Sequence, residues 1–154
     1  MELKTLSPQK NRDFSDKTEK QFKNLEKLIS EINKHTLADD VVEKVNDEIE
    51  KVNDHTGEDK KYRRQIIKST QRIISVVVKE HKLVPKNYYR NMWLGVGMAA
   101  FGVPLGIAFG AALDNMGLMG VGLPLGIAIG YGVGKEKDKK AKEEGKQLDV
   151  AIEH

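Results

Sequence analysis

The residues able to do chemistry are few and badly spaced for it. The four histidines are His35, His55, His81 and His154. No pair of them has the spacing at which a metal site collects its ligands. His35 and His55 fall at expected helix ends, where a cation near the last carbonyls is ordinary. The chain has no cysteine, which removes thiolate nucleophiles, thiolate metal sites and disulfides together. The acidic pairs Asp39-Asp40 and Glu58-Asp59 read as first-turn helix acids, not as a catalytic dyad. Gly130-Tyr131-Gly132-Val133-Gly134-Lys135-Glu136 superficially looks like a phosphate loop. Such a loop needs a glycine five residues before the Gly-Lys pair and Ser or Thr after it, and Ile129 and Glu136 stand there. Gly95-Val96-Gly97 followed by Ala100 is a partial dinucleotide fingerprint without a βαβ setting. The expectation is therefore a non-enzyme with no catalytic residue, no cofactor and no metal.

What must be explained instead is the distribution of apolar residues. Of 154 residues, 26 are Lys or Arg and 23 Asp or Glu, a net charge of +3. That balance gives no reason to expect nucleic acid as a partner. Yet the 43 residues from Met92 to Gly134 contain 12 of the 14 glycines and one charge, Asp114. Polar, charged sequence flanks them on both sides. The N-terminus has no apolar run of the signal-peptide kind, and Glu2 stands where a myristoylation signal needs glycine.

Before this block the pattern is helical. Residues 1–13 show no apolar period and are expected to be frayed, although Ser7-Pro8 has the form of a helix start. Phe22, Leu25, Leu28, Ile29 and Ile32 recur at spacings of three and four, which predicts a helix over about 14–34. Thr36 and Asp39 have capping-box spacing. Val42, Val45, Ile49 and Val52 then predict a second helix over about 38–54. Gly57 is expected in a left-handed stop position. A third helix should run from Glu58 to about Val84. Its Ile73–Val78 run is strand-like by propensity, but no second strand is available to pair with it. Three short-linked amphipathic helices over 14–84 make a bundle, with a thin core that calls for support from elsewhere. The basic face of helix three reads as a solvated face or as a contact with anionic lipid.

Residues 85–92 form a linker that mixes basic and aromatic side chains. With their neighbours, Lys86, Tyr88, Tyr89, Arg90, Trp93, Lys135 and Lys137 have the composition of a membrane–water interface. Trp93–Leu113 gives 21 uncharged residues and Gly117–Gly134 gives 18, against the roughly 20 that a spanning helix needs. Asp114-Asn115-Met116 breaks them. The expected form over 93–134 is a two-span hairpin. Basic residues flank both outer ends and none lies in the turn, so both termini are expected in the cytoplasm, with 135–154 as a charged tail.

Inside the hairpin, Gly102-Val103-Pro104-Leu105-Gly106-Ile107-Ala108-Phe109-Gly110 returns as Gly122-Leu123-Pro124-Leu125-Gly126-Ile127-Ala128-Ile129-Gly130. Seven of nine positions are identical. Gly102, Gly106 and Gly110, and Gly122, Gly126, Gly130 and Gly134, are spaced by four, so each set forms a side-chain-free groove on its helix. Gly95 and Ala99 are expected to extend the first groove. Small residues let helices approach closely in lipid, where no hydrophobic drive brings them together. Pro104 and Pro124 should kink their helices at matched points. No polar side chain sits mid-span, which argues against a proton relay, a voltage sensor or an ion-coupled transporter.

Over about 95–134 this pattern resembles the glycine-zipper two-span membrane proteins, hairpins with repeated GxxxGxxxG found in small bacterial membrane proteins and in some pore-forming and channel proteins. The resemblance implies close helix packing and a homo-oligomer, not an activity. The whole chain thus reads as an all-α protein, a cytoplasmic three-helix bundle followed by a transmembrane hairpin, seated in the lipid bilayer of a bacterial inner (plasma) membrane. Its expected role is to oligomerise through the zipper and anchor the small bundle. The alternatives are a pore or channel of toxin or defence type, and an adaptor whose bundle, 14–84, recruits a soluble partner.

Overall fold

The structure, a computed structural model, describes residues 2–7 and 14–152. Among them it contains five α-helices, α1 (Asp16–Ile32), α2 (Asp39–Asn53), α3 (Asp59–His81), α4 (Tyr88–Ala112) and α5 (Met119–Glu143). They fall into two compact units. One is Met1–Pro85 with Leu148–His154, the other Lys86–Gln147. The second unit is thus inserted into the chain of the first.

In the first unit, α3 packs against both α1 and α2. The apolar stripes meet there: Leu25, Leu28, Ile29 and Ile32 of α1, Val41, Val42, Val45, Ile49 and Val52 of α2, and Tyr62, Ile66, Ile73, Ile74 and Val77 of α3 are all buried. The β-branched run of α3 is helical because its buried members, Ile73, Ile74 and Val77, continue with Ile66, Ser69 and Thr70 one face at spacings of three and four. The Tyr62 ring stacks on Phe14 at 4.9 Å and His55 at 5.8 Å between centroids, and burial pushes its phenol above the usual value.

Several local expectations are corrected. Thr36 does not cap α2. Its N-cap is Ala38, whose N–H donates to His81 Nε2 at 3.2 Å. Gly57 is not left-handed. Of the described glycines only Gly145 has positive φ. Gly57 instead makes room for a ring, since a Cβ there would lie 2.6 Å from His55 Nε2. Helix α3 stops three residues before Val84, on Lys82 in the left-handed region (φ 59°). Lys82 N–H bonds to Val78 O and Leu83 N–H reaches back to Val77 O, so the last carbonyls of the helix are satisfied by the residues that end it.

Residues 2–7 and 144–150 are held more firmly than their composition suggests. Residues 2–7, expected to be frayed, run extended along α2 and bury Leu6. The expected helix start at Pro8 lies outside the described residues. The charged tail also divides. Helix α5 continues through its Lys- and Glu-rich part to Glu143, closes on Gly145 (φ 68°), and the following residues return to the bundle. There Leu148 N–H donates to Val84 O at 2.9 Å, Asp149 N–H to Glu31 Oε2 at 3.2 Å, and Leu148 and Val150 are buried. These two apolar side chains supply some of the core that the three helices lack.

Candidate functional site: the glycine seam and its collar

The second unit is an antiparallel pair of helices, α4 and α5, and its interior is made of glycine. Gly97, Gly102, Gly106 and Gly110 of α4 and Gly122, Gly126, Gly130 and Gly134 of α5 are buried. A Cβ at Gly126 would lie 2.5 Å from Gly97 O and 2.6 Å from Gly102 Cα. One at Gly134 would lie 2.5 Å from Arg90 Cα, and one at Gly97 2.8 Å from Gly130 Cα. Added Cβ atoms at Gly106, Gly122 and Gly130 would overlap the backbone oxygens of Met119, Gly102 and Trp93. Backbone therefore packs on backbone from Arg90–Gly134 at one end to Gly106–Met119 at the other. Along α5 that is Met119–Gly134, 16 residues, or about 24 Å at 1.5 Å per residue.

Of the seven glycines singled out by spacing, six fall on this seam between two helices of one chain, and Gly110 continues its line against the Met116 and Met119 side chains. The expected extension through Gly95 does not, because a Cβ there would meet nothing within 4 Å. The eighth member is Gly97, five residues before Gly102. Five residues make about 1.4 turns of an α-helix, which would carry Gly97 off the seam. Residues Met98–Gly102 form a π-helical turn instead, with Val103 N–H bonding to Met98 O. The wider turn absorbs the extra residue and returns Gly97 to the contact line. A spacing of five among spacings of four was the signal in the sequence.

The prolines do not act alike. Pro104 sits in the first turn after the π-helical segment, while Pro124 lies inside the regular α5. Asp114 (φ 47°) turns the chain, Asn115 Oδ1 accepts Gly117 N–H at 3.0 Å, and a short 3-10 turn over Met116–Leu118 leads into α5.

The outside of the hairpin inverts the usual arrangement. The exposed large apolar side chains of the described residues all lie between Met92 and Tyr131, with Val103 49%, Ile107 50% and Leu113 64% exposed. Helix α4 is long and apolar enough to cross a membrane. In α5 the apolar part is Met119–Gly134, 16 residues or about 24 Å, because its first two expected residues are spent on the turn.

At the charged end stands a collar made of residues whose composition suggested a membrane interface. Lys137 Nζ lies 5.6 Å from the centre of the Trp93 ring, a cation–π distance. Tyr88 and Tyr89 meet edge to face at 5.4 Å. Arg90 and Tyr89 take part through their backbones, as ligands of Asp138. That residue is buried, although in sequence it is one charge among many in 135–154. Lys86 and Lys135 are exposed.

Among the described residues no group of three His, Asp or Glu side chains could hold a metal ion. An open groove of about 620 Å³ between α1 and residues 149–151 is lined by charges of both signs, among them Asp16, Glu19 and Lys23. No protein-family model, curated protein or solved structure matches the chain.

Proposed function

We propose that this chain is a non-enzymatic membrane anchor whose hairpin crosses the bilayer twice and holds the helical bundle at the cytoplasmic face. The observation that carries the reading is the inside-out hairpin, with glycine backbone within and exposed Val, Leu, Ile and Phe without. Water would penalise such a surface over its whole length, whereas hydrocarbon would not. Helix α5 crosses beside α4 because the two share one seam. Its shorter apolar stretch is extended by Lys135 and Lys137, whose stems reach back to the headgroup level. The basic residues at both outer ends, with none in the turn, support a cytoplasmic bundle and cytoplasmic termini.

Self-association belongs to the same proposal but uses a different surface from the one the spacing suggests. The glycine grooves are already filled within one chain, so a second copy must approach the outward faces. There Ala100, Pro104, Ala108 and Ala112 on α4, and Gly120, Pro124, Ala128 and Gly132 on α5, repeat at intervals of four and are exposed. Small residues at that interval permit close approach in lipid.

Single-cysteine variants test the topology cleanly, because the natural chain has no cysteine. Asn115→Cys should react with an impermeant maleimide added outside intact cells, and Lys79→Cys only after lysis. Reaction of both from outside, or release of the chain by alkaline carbonate, would sink the proposal.

A further inference from the structure

Asn46 and Asn53 stand seven residues apart on α2, two turns along one face. Each uses both ends of its amide on the extended segment 2–7. Asn46 Oδ1 accepts Lys4 N–H at 2.7 Å and its Nδ2 donates to Glu2 O at 3.1 Å. Asn53 Oδ1 accepts Ser7 N–H at 2.9 Å and its Nδ2 donates to Thr5 O at 3.1 Å. The same pattern, a carbonyl and the N–H two residues on, is read twice with a step of three residues. The two periods match. Seven residues of α-helix rise about 10.5 Å, and three residues of extended chain span about 10 Å. Between the two asparagines Glu50 pairs with Lys4 Nζ. Leu6 is buried and Leu3 half-buried, again three residues apart.

This is a peptide-recognition arrangement of the kind in which main-chain hydrogen bonds hold an extended segment and side chains at a fixed spacing, here every third residue as in a polyproline-like chain, select it. We infer that the α2 face of Asn46, Glu50 and Asn53 is a docking site for an extended segment of a partner protein, with two leucines three residues apart and a lysine after the first. Residues 2–7 are its resident occupant. Four backbone bonds carry no side-chain identity, so any chain of the same shape satisfies them. Specificity rests on the two leucine positions and the Glu50 charge. The polar contacts are solvent-exposed, so the resident segment can leave without stranding a buried donor. The site does not depend on the hairpin crossing a bilayer, so it stands or falls separately from the proposed anchor.

The test uses the full chain in detergent and the labelled peptide Ac-Glu-Leu-Lys-Thr-Leu-Ser-amide as probe. A chain with Leu3→Asp and Leu6→Asp, which releases the resident segment, should bind the probe at least about tenfold more tightly than the unaltered chain. Adding Asn46→Ala and Asn53→Ala should abolish binding. Glu50→Lys should weaken this probe and favour one with Glu at the lysine position. A released chain of unchanged helix content that ignores the probe overturns the inference, as does binding that survives loss of both asparagines. Should the released variant lose helix, the unaltered chain decides by hydrogen exchange. Lys4 and Ser7 amides must exchange well ahead of the α2 amides, and protection equal to that of α2 overturns the inference.

Discussion

Asp138 of α5 caps the start of α4, its Oδ1 accepting the Tyr89 N–H and its Oδ2 the Arg90 N–H, each at 3.0 Å. The residue before that helix, Asn87, is left-handed (φ 61°) and makes no side-chain cap. The carboxylate therefore comes from the neighbouring helix, where it meets both the free N–H groups and the positive end of the helix dipole. It also fixes the register of the two helices at the charged end, as the Asp114 turn does at the other. Asp138→Ala should strand both donors and cost about 1–2 kcal/mol. Amide exchange at Tyr89 and Arg90 should rise clearly, while Asp138→Asn, which keeps one acceptor, should show a smaller rise. Unchanged exchange in the alanine variant would show that the cap adds nothing.

A methyl group separates the two kinds of glycine in the hairpin. Gly126→Ala puts a Cβ against the Gly97 carbonyl and the Gly102 backbone, neither of which can move aside alone. Forcing the helices apart should cost about 1–3 kcal/mol. Gly132→Ala meets nothing within 4 Å and gains helix propensity. Thermal unfolding in detergent, followed by circular dichroism, should show Gly126→Ala melting well below the natural chain and Gly132→Ala no lower than it.

Spacing made the glycine seam legible because a helix turns periodic sequence directly into a face. The same logic found the buried stripes of α1, α2 and α3. What it could not find were relationships between residues far apart in sequence. Asn46 and Asn53 look like ordinary surface polar residues until Glu2–Ser7 is laid beside them. Leu148 and Val150 read as part of a charged tail because its apolar residues, Ala141 and then Leu148, Val150, Ala151 and Ile152, are too few and too bunched to show a period. His81 gives no sign in sequence that it meets the N-terminus of another helix. Turn chemistry misled for a related reason. Gly57 answers to the neighbouring His55 ring, not to a backbone angle.

Glu48 is the buried charge on which α2 and α3 meet. Burial pushes its carboxyl up, but Lys51 at 2.6 Å, Ser69 Oγ at 2.8 Å and Arg72 at 3.1 Å together hold it below the usual glutamate range. The folded value is thus below the unfolded one. The stabilisation is complete above the unfolded value of about 4.3 and is lost as pH falls through the lower folded value. Glu48→Gln keeps the shape and loses the charge. It should destabilise the bundle by about 1–3 kcal/mol at neutral pH and flatten the stability profile below about pH 4.3. Denaturant midpoints across pH would show this, and parallel profiles for the two proteins would contradict it.

The π-helical turn at Met98–Gly102 has two candidate causes, and a deletion separates them. A proline can open a helix just before itself, and Pro104 is close by. Pro124, however, occupies the matching place in the repeat and sits inside regular α-helix. Proline alone therefore does not require the wide turn. The spacing of five between Gly97 and Gly102 does, since a regular helix would rotate Gly97 away from Gly126 and Gly130. Removing Ala99 shortens that spacing to four, so a regular helix would keep every glycine on the seam. The deletion variant should melt within a few degrees of the natural chain, and its backbone bonds should become regular. Inserting an alanine between Ile127 and Ala128, where the four-residue spacing of α5 is unbroken, should instead disrupt the seam, unless a second π turn forms there. A deletion as damaging as the insertion would mean that the turn serves Pro104 and not the glycines.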